Sequence, residues 1–384
     1  MLKLPTDIVQ PGMVLAKPIT DDKGRTLLRQ GVALTDEYIA VLKQRGLSLV
    51  FVTVEDADAI HIDSAIPDDA RQQAQQTVGR VFEFVRQLLA TIDEPPAEAA
   101  AEAELAQAVQ SSPDFVQLEQ TAASLLPELF EKKTLAGLSQ IRNQSHTQFS
   151  HAVNVAVAAM LIGINLHLAL DDLVRLGTGC LLHDIGKVFF DPHLFKLNGH
   201  MPNRLKLREH PRLGYELLRQ RNPDNVMINH VALEHHERQD GQGYPRGLRG
   251  TNGLERTRFG RDNILLIAEI ASVADVFDIL SNGTAHHPPL APMQVANTMR
   301  QLAGTFLNRE VVDIFLSMLP VFPVGLNVVL RTGRFANYKG VVLETGKQPD
   351  RPVVRLLFNP NGGRISPIDL NLAVKQDMLI EATL

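Results

Sequence analysis

The sequence predicts a mainly α protein, with a small α+β module before a central helical bundle and a small β-rich module after it. Three observations lead there. Apolar residues recur at helical spacing from Asp68 to Ile92 and through most of Phe115–Leu319. Short runs rich in Val, Leu and Phe, punctuated by turn residues, are confined to the two ends of the chain. Between the first long helix and the bundle, the composition shifts to Ala and Glu. The expected divisions are 1–60 (α+β, regulatory or packing), 61–114 (helix and Ala/Glu-rich linker), 115–319 (helical domain) and 320–384 (β-rich).

At the N-terminus, Met13–Ile19 and Thr26–Leu28 read as strands around the turn signal Asp21-Asp22-Lys23-Gly24. Thr35 is placed to cap a helix running to about Arg45, with Gly46 as its stop. Leu47–Val54 then alternates as a strand. Nothing here resembles a phosphorylation receiver, so control through this module is expected to come by contact or ligand. From Asp68 to Ile92 the apolar residues Val78, Val81, Phe82, Val85, Leu88 and Leu89 fall on one helical stripe. Pro95-Pro96 breaks that helix. Asp93–Ala108 then reads as a solvated helix or flexible spacer.

Within the bundle, Val153–Leu170 and Leu173–Leu182 are dominated by apolar residues. Asn154, Asn165 and His167 in the most lipophilic stretch argue for a buried helix over a membrane span. Pro211 and Pro223 suit first-turn positions. His210 then stands at the mouth of one helix, and a helix from about Asp224 ends near His235-His236. Ile264–Leu280 is apolar on nearly every face, which marks a central buried helix. Beyond it, Leu326–Leu330, Gly340–Leu343 and Val353–Phe358 are β-like, with Asn359-Pro360-Asn361-Gly362-Gly363 a strong turn.

The net charge of -5 offers no electrostatic reason to expect a nucleic-acid polymer as partner. The single cysteine, Cys180, rules out an internal disulfide and a thiolate metal cluster. No secretory signal or membrane span is expected, and a cytoplasmic location fits.

The chemistry centres on Leu181–Lys187, Leu-Leu-His-Asp-Ile-Gly-Lys. A His-Asp pair after a helix is ordinarily a cap or an ion pair. The company it keeps points elsewhere: His151 upstream, and His210, His235, His236 and Asp275 downstream. The interval from His151 to His183 is long enough for two antiparallel helices to bring both side chains together. Asp275 and Asp278, three apart on the most apolar helix, share a face. Buried carboxylates there are costly unless paired or bound to a cation. Imidazoles and carboxylates without thiolate suit first-row metals such as iron, manganese or zinc, and do not suit a calcium cage. Gly186 is read as a turn residue and Lys187 as a cation beside the metals. His167, His193, His200 and His230 are set aside.

His183-Asp184 with Ile-Gly-Lys, then His235-His236-Glu237 and Asp240-Gly241-Gln242-Gly243-Tyr244-Pro245, resemble the HD-GYP subgroup of the HD metal-dependent phosphohydrolases. The resemblance covers roughly residues 140–310 and implies an HD-type helical bundle. It implies hydrolysis of cyclic di-GMP to linear pGpG or GMP through a metal-bridging hydroxide. The ligands it implies are His151, His183, Asp184, His210, His235, His236 and Asp275, holding two divalent ions, iron or manganese with zinc compatible. Asp184 and Lys187 are the expected catalytic pair. Lys187, Asp278, Tyr244 and Arg246 are the expected substrate contacts. Signalling proteins could dock on the GYP loop or the flanking modules, and a homodimer is compatible.

Two departures stand out. Three-metal members carry Glu where this chain has Thr147, which is why two ions are expected. The segment Ser281–Pro288 lacks the family's basic residues and holds Thr284 at the arginine position, with His286 and His287 following; Arg246 and Arg249 are nearby cations. Two alternatives therefore stay open: a phosphohydrolase of another cyclic dinucleotide or nucleotide, and a non-catalytic module that binds a cyclic dinucleotide or a protein.

Overall fold

The computed structural model describes residues 2–6, 9–20, 26–44, 47, 49–53, 65–92, 94, 96–100, 102–132, 148–191, 194, 206–255, 263–283, 288–346, 348 and 350–382. The expectations at Asp21–Gly24, Gly46, Thr147, His193, His200, Thr284, His286 and His287 lie outside them.

Helices dominate, as expected. The N-terminal module joins strands β1 (Leu2–Pro5), β2 (Val14–Leu15) and β5 (Leu49–Thr53) in the order β1-β5-β2, with β3 (Ile19–Thr20) and β4 (Thr26–Leu28) as a separate pair. Helix α1 (Asp36–Gln44) starts where the Thr35 hydroxyl accepts the Tyr38 N–H at 3.3 Å. The C-terminal sheet is antiparallel: β6 (Asn327–Leu330), β7 (Lys339–Glu344), β8 (Val353–Phe358), β9 (Arg364–Asn371) and β10 (Ile380–Ala382), in the order β10-β6-β7-β8-β9. β9, in which polar residues are interspersed with apolar ones, and the three-residue β10 were not foreseen.

The two terminal modules pack on each other. Strand alternation sends Val342 and Leu356 into the C-terminal core. Their neighbours Val341 and Leu357 point the other way, into one cluster with Leu15, Ile19, Val50 and Val52. Residues more than 280 positions apart thus share a core, which no local pattern announces.

The bundle contains α2 (Asp68–Leu89), α3 (Pro96–Ala99), α4 (Ala103–Ser111), α5 (Pro113–Lys132), α6 (Gln148–Asn165), α7 (Leu170–Leu182), α8 (His210–Arg221), α9 (Val226–Glu234), α10 (Leu266–Asn282), α11 (Pro292–Leu302) and α12 (Arg309–Met318). A 3-10 turn, Ile185–Phe189, follows α7. α6 and α10 are buried nearly all round because they carry apolar residues on every face. α6 has the length and hydropathy to cross a membrane, but 78% of it is buried among the other helices.

Two expectations are revised. The Ala/Glu stretch is not a solvated spacer: Leu105 and Val109 of α4 belong to the main core, and Gln110 donates to the Gln220 carbonyl at 2.7 Å. Ala-rich segments with two apolar residues one turn apart suffice when a groove is waiting. Pro223 sits in the turn before α9, whose cap is Asn225, its side chain accepting the Ile228 N–H at 3.4 Å.

Candidate metal centre

The site is assembled at helix ends. α7 stops at His183, and Asp184 takes φ -99° and ψ 10°, outside helical geometry. That break lets two adjacent side chains face one space, which a continuing helix forbids. α9 stops in the same way at His235-His236, whose ring centroids are 4.1 Å apart. His210 opens α8, followed by Pro211. His151 and Asp275 come from the buried helices α6 and α10.

Gly186 explains how closely the 3-10 turn approaches α8. A Cβ there would lie 1.9 Å from the His210 carbonyl oxygen and 2.6 Å from the Gly214 nitrogen. The glycine is needed for backbone contact, not for the turn expected from sequence.

Backbone carbonyls fix the imidazole tautomers. His183 Nδ1 donates to the Cys180 carbonyl at 2.7 Å, and His210 Nδ1 to that of Leu207 at 2.6 Å. His235 Nδ1 donates to the carbonyls of Ala232 at 3.0 Å and Val231 at 3.1 Å. A carbonyl only accepts, so the proton of each neutral ring is on Nδ1 and the Nε2 lone pair is free to bind.

Those lone pairs converge on Asp184. His183 Nε2 is 3.4 Å from Oδ2, His210 Nε2 is 3.3 Å from Oδ1, and His235 Nε2 is 3.8 Å from Oδ1. Asp184 is 2% exposed. Lys187 Nζ contacts its Oδ2. Burial opposes the Asp184 charge, but Lys187 and the imidazoles hold its carboxyl well below the usual range. Burial and the neighbouring rings push His235 well below its ordinary value, and His236 down to about 3. Neutral imidazoles and a carboxylate facing one another are acceptors awaiting a cation. The donor atoms of His210, His235 and His236 lie within 4.8 Å of one another, as do those of His151, His183 and Asp275, and those of His183, Asp184 and His235. The donor set fits a borderline first-row divalent ion.

His151 is held from both sides, with Nε2 3.1 Å from Asp275 Oδ1 and Nδ1 2.7 Å from Asp278 Oδ2. Burial disfavours its charge, yet the hydrogen bonds to the two carboxylates outweigh it and carry the ring up to about 10. Asp278 was expected as a substrate contact. It lies behind His151, its Oδ1 also accepting from Asn154 at 2.8 Å and Asn282 at 2.6 Å.

The GYP loop is a built structure. Glu237, 2% exposed, accepts the backbone N–H groups of Arg246 at 2.7 Å and Leu248 at 2.8 Å. A Cβ on Gly243 would sit 2.5 Å from Glu237 Cα. Tyr244 stacks on His236 with centroids 4.8 Å apart, and Arg208 lies over its other neighbourhood at 5.1 Å from the ring centroid. Burial raises the Tyr244 hydroxyl, so it stays protonated. Arg246 NH1 donates to Glu234 at 3.1 Å. His230, set aside as a ligand, has Nδ1 2.7 Å from Glu234 Oε1. Sequence reasoning assigned no site role to Asn154, Glu234, Arg208 or Arg71. Polar residues on otherwise apolar helical stripes were the available signal for Asn154 and Arg71.

Fold and site define a helical protein with a buried cluster of histidines and carboxylates able to hold metal ions. Residues 149–280 match the HD domain family, a match that implies divalent-metal binding. The chain is similar to a cyclic di-GMP phosphodiesterase of Pseudomonas aeruginosa, 29% identical over 287 residues, covering 73% of this chain and 64% of that one. It is similar to a cyclic di-GMP phosphodiesterase of Thermotoga maritima, 31% identical over 140 residues, 36% of this chain and 35% of that one. A 3'3'-cGAMP-specific phosphodiesterase of Vibrio cholerae is 31% identical over 147 residues, 38% of this chain and 29% of that one. The chain thus spans less than two thirds of the length of each.

Proposed function

We propose that this chain is a divalent-metal-dependent phosphodiesterase that hydrolyses cyclic di-GMP to linear pGpG or GMP in the cytoplasm. One observation carries the reading: three imidazoles with Nδ1 fixed on backbone carbonyls turn their Nε2 lone pairs toward buried Asp184. We assign two ions, iron or manganese with zinc compatible, which His151, His183, Asp184, His210, His235, His236 and Asp275 would hold. Bound there, such ions supply Lewis acidity toward the phosphodiester and acidify the attacking water.

The chain's own groups do the rest. Lys187, already at Asp184, adds positive charge where phosphate oxygens gather negative charge in the transition state. Tyr244 keeps its hydroxyl proton and offers a donor, with its ring braced on His236. Arg246, anchored on Glu234, contributes a cation at the rim. Asp278 orients His151 and does not touch substrate. Signalling partners on the GYP loop or flanking modules, and a homodimer, extend the same reading.

A second reading takes another cyclic dinucleotide as substrate. The 281–288 segment, which holds Thr284 where the resemblance expects arginine, favours it. One experiment separates the two. Purified protein, with native metals and after reloading with Mn(II) or Fe(II), is given cyclic di-GMP and 3'3'-cGAMP, and products are separated by chromatography. Turnover of cyclic di-GMP that falls at least about 10³-fold in Asp184→Ala is expected. Preference for 3'3'-cGAMP selects the second reading. Two metals bound per chain with neither nucleotide cleaved would sink both.

A further inference from the structure

We infer that Arg71, on the helix before the HD domain, is a positioning residue for the candidate ligand His151; this rests on the metal-centre reading above. Arg71 stands in the first turn of α2 at 8% exposure, on the same stripe as the buried Ala74, Val78, Val81 and Val85. A guanidinium on a core stripe is costly unless it is engaged.

Its engagement leads to the site. Arg71 NH1 donates to Asn154 Oδ1 at 2.7 Å. Asn154 Nδ2 donates to Asp278 Oδ1 at 2.8 Å. Asp278 Oδ2 accepts from His151 Nδ1 at 2.7 Å. The line has a fixed sense because a guanidinium can only donate and a carboxylate can only accept. Arg71 on one side and Asp278 on the other therefore lock the Asn154 amide in one orientation. That orientation gives Asp278 a donor, and the carboxylate in turn keeps a proton on His151 Nδ1, leaving Nε2 as the atom that can ligate. Without Arg71, the Asn154 amide loses the donor on its Oδ1 and its hold on Asp278 slackens, which loosens the carboxylate that aims His151. Partners behind a metal ligand commonly tune affinity in this way. Arg71 lies outside residues 149–280, so this part of the site is supplied by a helix the HD domain does not include.

The test is calorimetric titration of metal-stripped full-length protein with Mn(II) alone. The proteins are wild type, His151→Ala, Arg71→Met, Arg71→Lys and the Arg71→Met/His151→Ala double variant. Wild type is expected to show two binding events, one of which His151→Ala removes or weakens. Arg71→Met should weaken that same event about tenfold and leave the other within about twofold. Arg71→Lys should fall between wild type and Arg71→Met. In the His151→Ala background, Arg71→Met should add nothing. Equal weakening of both events, no weakening, or an additive effect in that background would make Arg71 a packing residue and overturn the inference. A wild type that binds no Mn(II) would overturn the metal-centre reading and the inference with it. Should Arg71→Met not fold, Asn154→Ser repeats the test one link nearer His151, with the same expected pattern.

Discussion

Gly186→Ala is the sharpest single perturbation of the site. The added methyl would meet backbone on the opposite helix: the His210 carbonyl oxygen at 1.9 Å, the Gly214 nitrogen at 2.6 Å and the His210 carbonyl carbon at 2.9 Å. None of these can rotate away. Restoring an ordinary carbon–oxygen contact requires the two segments to part by roughly 1.3 Å or more, given contact distances of about 3.2 Å and above. Overpacking against yielding side chains costs about 1–3 kcal/mol, so this rigid contact should reach about 3 kcal/mol. The displacement also separates Asp184 from His210, now 3.3 Å apart at Oδ1 and Nε2. A misplacement of about 1 Å in a reacting constellation can cost about 10²-fold in rate. The assay is turnover, metal content and urea denaturation of Gly186→Ala beside Gly253→Ala. At Gly253 the nearest atom to a new Cβ is Glu310 Oε1 at 3.9 Å, so that change should stay within about 0.5 kcal/mol. Wild-type stability and turnover in Gly186→Ala would refute the argument that this glycine exists for helix approach.

Three further outcomes are expected. In metal-free protein His151 ionises near pH 10, raised from 6.5, so its protonated form stabilises that state fully below about pH 6.5 and the contribution is lost as pH rises through 10. A metal taking Nε2 must displace that proton, so affinity should rise about tenfold per pH unit between pH 7 and 10; uptake without proton release, measured calorimetrically in buffers of different ionisation enthalpy, would contradict this. Tyr244→Phe keeps the stack on His236 and should leave Mn(II) affinity unchanged while raising KM, whereas Tyr244→Ala should disturb both; identical behaviour of the two would show that the ring does not brace the ligand. Removing residues 1–60 exposes Val341 and Leu357, each worth about 1.5–3 kcal/mol when buried, so the truncated chain should bind a hydrophobic dye and melt earlier; an unchanged melt would deny the shared core.

Much of the site was legible because its chemistry is carried by rare residue types in fixed order. His183-Asp184 and His235-His236 each mark a helix end, and the periodicity on either side identifies those ends. Asp278 was legible as a buried carboxylate but not as the one behind His151. That depends on His151 and Asn154, both on α6, reaching it from the neighbouring helix. The Ala/Glu stretch misled because composition reports propensity, while burial of Leu105 and Val109 depends on a groove formed by distant helices.

The sequence by itself determined the helical bundle, the two terminal modules and the identities of the candidate ligands. Hydrophobic period and residue chemistry are properties of short windows, so they can be read without knowing what lies opposite. The tertiary structure alone decided which imidazole nitrogen is left free, why Gly186 must be glycine, that the first and last modules share a core, and that Arg71 connects to His151 through Asn154 and Asp278. Each of these is set by contact between segments far apart in the chain, and the energy of such a contact depends on geometry that only the folded packing supplies.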